Sequence, residues 1–496
     1  MLFSFSLVRL LPKHTVHPLF FLESAALRIL TTAVLVAAFC AGIGSPAFAE
    51  SLSAAVKRAL TTNPAIKASS AEMNASANEL FQLREDFLPS VELYGEAGYQ
   101  RVDDPAYLPT TDNDLTQSRG QIGVNAKLVL FDGYRRANRV YSRSARLDGN
   151  VFRLLDASET MALNATEAYI DVFRHRQLLG VAKRNLARHA EIEDRVRALV
   201  DGGRLPYSDL LTIEDRVDAA NLTIIDVRRA LRDADARYER VVGIKSGSGM
   251  RISGVKVPAS EVMLTKTALK NNFRIQNAQT KIDEARFNKE IVLSDNLPEF
   301  SLNAGGGYGV NRNGLSGRRT DAYIGLGLSW TLYQGGRSFE RNALAERTYQ
   351  ASYERDVIVR EVHELARQSW SNYIAASERA VQLAQQLEIN RLIVQYYSDE
   401  FDAAKRTLLD LLEVERSRYN VEFQSVSADA SRVFSTYRVH AVQSTLARQF
   451  GVKPSDMALE PTYRQRAKSS PRYIFDTTIE PLTPAAQPLN AIEPLR

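Results

Sequence analysis

Apolar positions in this chain follow two alternating rhythms. From Pro89 to Tyr99 every second residue is apolar, and the rhythm returns with Ile122, Val124, Ala126, Leu128 and Leu130 against Gln121, Gly123, Asn125 and Lys127. Period two predicts strands with one apolar face. A polar loop is expected between them, Asp103 to Ser118. After Phe131-Asp132-Gly133 the period becomes helical for roughly 65 residues. Inside that run Met161, Ala165, Ala168, Val172, Leu179, Ala182 and Leu186 step by fours and threes, with His175 in the one gap. Such a seam predicts helices packed nearly side by side, and its alanines allow close approach.

The pattern then repeats. Residues 51–87 read as helix with a break at Asn63-Pro64, and Thr265 to Asp295 read as the matching helix. Leu297-Pro298-Glu299-Phe300 answers Leu88-Pro89-Ser90-Val91, and Leu332-Tyr333-Gln334-Gly335 answers Leu130-Phe131-Asp132-Gly133. The second strand of the second pair carries Ile324, Leu326, Leu328, Trp330 and Leu332. Asp209 follows Gly133 by 76 residues, and Asp410 follows Gly335 by 75. Two coincident motifs at matched spacing define an internal repeat. Prolines respect it, being absent from 110–205 and from 299–453, where long helices are expected. The organisation read from this is a first repeat over 50–250, with a strand pair 89–131 and a helical hairpin 134–243. A second repeat over 251–453 has a strand pair 298–333 and a hairpin 336–451. The tail 454–496 holds seven prolines and reads as irregular.

Composition narrows the function. Arg28, the apolar run Ile29–Gly42 and Ala47-Phe48-Ala49 read as a secretory signal over 1–49. Its removal leaves 60 bases and 57 acids, about +3, and takes away Cys40, the one cysteine. Disulfides are then excluded, and the absence of a basic stripe argues against nucleic acid. No later run of 18 apolar residues predicts a transmembrane helix. The histidines beyond the signal, His175, His189, His363 and His440, are too far apart for a helical metal site, and Gly305-Gly306-Gly307 opens no helix, so neither a metal, a cofactor nor a catalytic centre is expected.

Four strands per chain cannot close a barrel, and lipid tolerates no open edge. Three chains would give twelve strands, within the outer-membrane range. Phe131, Trp330 and Tyr333 fall where strands meet helices, as interfacial aromatics would. A soluble periplasmic coiled-coil or adaptor-like protein is the alternative from a different class.

Asn63-Pro64, Phe87-Leu88-Pro89, Leu130-Phe131-Asp132-Gly133 and their second-repeat partners resemble the TolC-type outer-membrane factor family over about residues 51–451. The resemblance implies an α+β membrane protein, a homotrimer whose 12-stranded β-barrel is continued by a long α-helical coiled-coil barrel. It also implies outer-membrane lipid around the barrel, a periplasmic adaptor, and an inner-membrane ABC transporter or proton-driven pump as partners. The wording from Phe131 to Tyr141 is similar to members serving type I protein secretion; the exit duct of a multidrug efflux pump is the alternative.

The same resemblance points to the two helix reversals. Gly203, Arg204, Leu205, Ala404 and Lys405 would be hairpin tips touching the adaptor. Arg406 would tie to Asp209 or Ser208, within a chain or across the protomer boundary, to hold the periplasmic gate shut. Ala404 stands where the family has glycine, and Phe401 where it has a tyrosine of the tie. Asp410 and Glu413 fall on the family's acidic entrance positions; at i and i+3 they share a helix face, so three chains would set six carboxylates around one opening. Thr407 and Asp410 also have capping-box spacing, a local reason for the acid.

Overall fold

The computed structural model describes residues 51–103, 114–312, 316–463 and 465. The signal segment and most of the tail lie outside them. All elements belong to one compact unit, Ser51–Ser246 with Met250 onward.

Each repeat begins with a broken helix. Helix α1 (Leu52–Thr62) gives way to α2 (Pro64–Glu85), and α5 (Glu261–Asn271) to α6 (Phe273–Ser294). The second break, absent from the sequence reading of 265–295, needs no proline. Asn272 is extended at φ −62°, ψ 125°, and its Oδ1 accepts the Arg274 N–H at 3.0 Å, as Asn63 Oδ1 accepts that of Ala65. An asparagine that caps the following helix competes with continuing the first one. Both asparagines also donate to the end of a hairpin, Asn63 to Val241 O at 2.9 Å and Asn272 to Val442 O at 3.0 Å. The repeat therefore extends to how each short helix is fastened.

Strands β1 (Ser90–Asp103), β2 (Asp114–Phe131), β3 (Glu299–Val310) and β4 (Arg318–Ser329) form one antiparallel sheet in that order. The expected loop 103–118 shrinks to 104–113, outside the described residues, because Tyr99 to Asp103 pair with Ser118 to Asp114. Trp330 and Leu332 fall beyond β4: the Trp330 indole instead donates to Asn296 O at 3.1 Å. Register stacks the apolar positions on one face, Leu93 beside Val124, Leu128 beside Leu302, and Leu302 beside Leu326. Glu96, Gln121, Asn125, Lys127 and Asn303 alternate onto the other face, where Lys127 meets Glu299 at 3.1 Å. Many apolar side chains of the first face stand open, Leu326 at 78 % and Leu93 at 69 % exposure. Among the described residues β1 and β4 each have one unpaired edge.

From this sheet run two hairpins, α3 (Arg135–Asp201) with α4 (Tyr207–Val242), and α7 (Arg337–Asp402) with α8 (Leu408–Val442). The 67 residues of α3 span about 100 Å. Helix α3 packs against α2, α4, α6 and α8, and α7 against α6 and α8. Ala165, Ala168, Val172 and Ala182 of the expected seam are buried, and the half-buried His175 Nδ1 lies 2.9 Å from Asp171 O. At the joint with the sheet, buried Arg136 bonds Asp132 at 2.9 Å and lies 4.5 Å over the Phe87 ring.

The second hairpin ends at Val442, short of the expected 451, because Ser444 turns the chain at φ 53° into α9 (Leu446–Gln449). The start of the tail is not irregular either. Helix α10 (Pro454–Met457) and Ala458 and Leu459 join the main core, and Tyr463 N–H donates to Asp148 at 2.8 Å. Apolar Met457 to Leu459 supply the burial that the proline count obscures.

Candidate functional site: the hairpin tips

Each long helix ends in the same way. Gly203 at φ 68° lets the N–H of Arg204 reach Leu199 O at 2.8 Å, and Ala404 at φ 55° does so for Lys405 and Glu400 O, also at 2.8 Å. These are left-handed helix terminators that satisfy the last carbonyls. Ala404, which departs from glycine, keeps the glycine backbone.

The two tips meet. Ile192, Val196, Leu210 and Ile213 of the first hairpin form one buried cluster with Phe401, Leu408, Leu411 and Leu412 of the second. Phe401 is therefore a core residue here, and its missing hydroxyl leaves no hole in a polar network. Leu205 is half-buried against the cluster, while Gly203, Arg204, Ala404 and Lys405 are exposed.

Within the chain Arg406 does not reach Asp209 or Ser208. Its Nε bonds Glu400 at 2.7 Å, and its guanidinium lies 4.3 Å over the Tyr397 ring. Both partners belong to its own hairpin, whose tight reversal brings residues 400 and 406 together. Asp209 stands in the first turn of α4 with no ion pair among the described residues, and the carbonyl of Ser208 accepts the Thr212 hydroxyl at 2.8 Å.

Asp410 closes a capping box at the start of α8: its Oδ2 accepts the Thr407 hydroxyl at 2.8 Å and the Thr407 N–H at 3.2 Å, and Thr407 Oγ1 accepts the Asp410 N–H in return. These bonds hold its carboxyl below the ordinary aspartate range. Glu413 is exposed, with Arg416 at 4.0 Å. The two acids line a groove of about 480 Å³ between α4 and α8, floored by Asn185 and His189 of α3. Capping and a shared acidic face coexist.

Sequence reading missed the charged seam above the tips. Glu415 is fully buried, and its two oxygens accept from Arg188 at 2.6 Å and from Arg418 at 2.9 Å. The signal was available: Leu408, Leu411, Glu415, Arg418 and Glu422 step along one seam, so its apolar rule is broken three times running. Phe131, Trp330 and Tyr333 lie at the end of the sheet that joins the helices, Phe131 stacking edge-on to Tyr134 at 5.5 Å and Tyr333 88 % exposed. Among the described residues no three His, Cys, Asp or Glu side chains group as a metal site. Among the described residues no helix is long and apolar enough to cross a membrane.

Comparison with known proteins agrees with this geometry. The sequence model of the outer membrane efflux protein family matches residues 55–243 and 264–439. The chain is 24 % identical over 425 residues to the outer membrane efflux protein BepC of Brucella suis, covering 85 % of this chain and 91 % of that protein. It is 22 % identical over 347 residues to the alkaline protease secretion protein AprF of Pseudomonas aeruginosa, covering 66 % and 70 %. Among solved structures, the CmeC outer membrane channel of Campylobacter jejuni superposes with a TM-score of 0.70 at 13 % identity, over 80 % of this chain and 86 % of that one.

Proposed function

Since the chain belongs to the outer membrane efflux protein family, we propose that it is the outer-membrane exit duct of a type I secretion system, passing protein cargo across the periplasm and the outer membrane. The family is one of outer-membrane efflux channels. One observation carries the duct: a four-stranded sheet with one face apolar over the half nearest the helices and two edges unpaired among the described residues, joined directly to two hairpins about 100 Å long. Lipid forbids free edges, so the sheet closes with copies of itself. Three copies make a twelve-stranded barrel with polar residues inside, and the hairpins continue it as a tunnel. At the far end Arg406 meets Asp209 of a neighbouring protomer to hold the gate, Asp410 and Glu413 line the entrance, and the tips meet a periplasmic adaptor. An inner-membrane ABC transporter supplies the cargo.

The choice of protein cargo is supported by the likeness to a protease secretion protein and by the wording from Phe131 to Tyr141. The likeness to an efflux protein supports the second reading, the exit duct of a multidrug pump. Deleting the gene and measuring secreted protein alongside drug susceptibility separates them. Loss of secreted protein at unchanged susceptibility is expected; raised susceptibility with intact secretion overturns the type I reading. A mature protein found wholly in the soluble periplasm would overturn the duct itself.

A further inference from the structure

Two tyrosines on the polar face of the sheet lie down where strand side chains ordinarily stand roughly perpendicular to it. Tyr94 of β1, Gly123 of β2 and Gly307 of β3 share one cross-strand row. A methyl group added at Gly123 would stand 2.5 Å from the Tyr94 hydroxyl oxygen, and one at Gly307 3.2 Å from it. The Tyr94 ring therefore runs along its row, across both glycines. Two residues nearer the helices the arrangement is repeated from the opposite edge. Tyr323 of β4 pairs with Gly305 of β3, which pairs with Asn125 of β2. A methyl group at Gly305 would stand 2.7 Å from Tyr323 Cε1, and the Tyr323 hydroxyl donates to Asn125 Oδ1 at 3.3 Å.

Glycine weakens a strand, and inside one it often marks a place where another group approaches closely. Here that group is a ring. With no Cβ at 123, 305 or 307, each ring drops onto the backbone of its neighbours, as aromatic side chains do when they cover strand glycines. Such cover stabilises the sheet, and it also clears two bulky side chains from the space above it. In the barrel proposed above, that space is the bore. Twelve strands about 4.8 Å apart and tilted about 40° enclose a backbone cylinder about 24 Å across. Standing tyrosines, two from each of three copies, would fill a large part of it. Lying flat, they leave room for a segment the size of a helix, about 10–12 Å across.

We propose that Tyr94 and Tyr323 set the free width of the barrel, and that Gly123, Gly305 and Gly307 keep it wide by letting both rings lie against the wall. This inference rests on the duct reading above and adds which residues decide the largest cargo its membrane segment admits. Both rings still face the bore, Tyr323 being 54 % exposed and Tyr94 half-buried. Their posture depends on the glycines, so a Cβ placed beneath a ring is enough to lift it.

The periplasmic gate lies in series with the barrel, so the test approaches from the outer face. The chain beyond its signal has no cysteine. Ser90→Cys places one thiol at the exposed start of β1, on the polar face and four residues nearer the helices than Tyr94. Poly(ethylene glycol) maleimides of graded mass are added to intact cells, and the largest one that labels the thiol measures the barrel. Gly305→Ala is the variant of choice, because the nearest atoms to its methyl belong to side chains, whereas a methyl at Gly123 also meets Gly306 O at 2.9 Å. It is expected to shift the cut-off to smaller polymers while a small maleimide labels as before. Adding Tyr323→Ala to Gly305→Ala brings the cut-off back to the parent's or beyond. With a heat-stable oligomer as the control for assembly, a parent-like cut-off in Gly305→Ala overturns the proposal and leaves the duct standing. So does a reduced cut-off that Tyr323→Ala fails to restore. Should Gly305→Ala not assemble, Tyr323→Ala alone decides: it should admit larger polymers, and an unchanged cut-off overturns the proposal. A Ser90→Cys thiol that no polymer reaches in the parent background overturns the duct reading and this one together.

Discussion

Gly203 and Ala404 hold the same place in the two hairpins, each the left-handed residue that ends a helix of more than 60 residues, at φ 68° and 55°. For glycine this conformation costs almost nothing, and for alanine it costs roughly 1–2 kcal/mol. Ala404→Gly should therefore stabilise the second tip, by about 0.5–1 kcal/mol once glycine's greater freedom in the unfolded chain is subtracted. Slower amide exchange across residues 400–408 is the expected readout. Faster exchange would show that the alanine is not strained.

Arg406 is the next residue whose role the structure divides. Its partner within the chain is Glu400, so the proposed tie to Asp209 would have to form between protomers. Arg406→Ala and Asp209→Ala are each expected to raise single-channel conductance. Glu400→Gln, which leaves Arg406 free to cross the boundary, is expected not to. Unchanged conductance in both of the first two variants removes the tie.

For the entrance acids, the capping box dictates the choice of variant. Asp410→Ala would remove a charge and a helix cap together, whereas Asp410→Asn keeps an acceptor for Thr407. Asp410→Asn with Glu413→Gln is therefore the cleaner test. Block of the current by divalent cations should weaken markedly while α8 stays folded by circular dichroism. Block as strong as in the parent would locate the cation site elsewhere.

A pH signature is expected far from the gate. Glu159 of α3 is buried and accepts the N–H groups of Leu446 and Ala447 at 2.8 and 3.2 Å; burial pushes its pKa up to about 7. A carboxyl raised on folding contributes stability that is complete below its unfolded value and is lost as pH rises through the folded one. Thermal stability should therefore decline from about pH 4.5 to about pH 7 by an amount on the order of 3 kcal/mol from this group. Glu159→Gln should lack that part of the slope. An identical pH profile in the variant would rule out Glu159 as its source.

Much of this architecture was legible in the residues. Strand alternation is a local consequence of side chains pointing to opposite faces, so Ile122 to Leu130 announced an apolar face without any neighbour being known. The repeat was legible because both halves solve one packing problem with matched words. The Asn272 break was not, since an asparagine interrupts a helix only where its amide finds a distant partner, here Val442 O. Nor was the order at the start of the tail, where Tyr463 is held by Asp148, more than 300 residues away.

The same division runs through the tips. The chain's own wording determined that two long helices reverse at Gly203 and Ala404, and that a cap and acids follow, because helix termination and capping are settled within a few residues. Only the tertiary structure decided which charges meet: Arg406 takes Glu400, and Arg188 crosses between hairpins to Glu415. Charge pairing depends on distances of a few ångströms between helices that the sequence holds far apart, and burial alone makes such a pair matter.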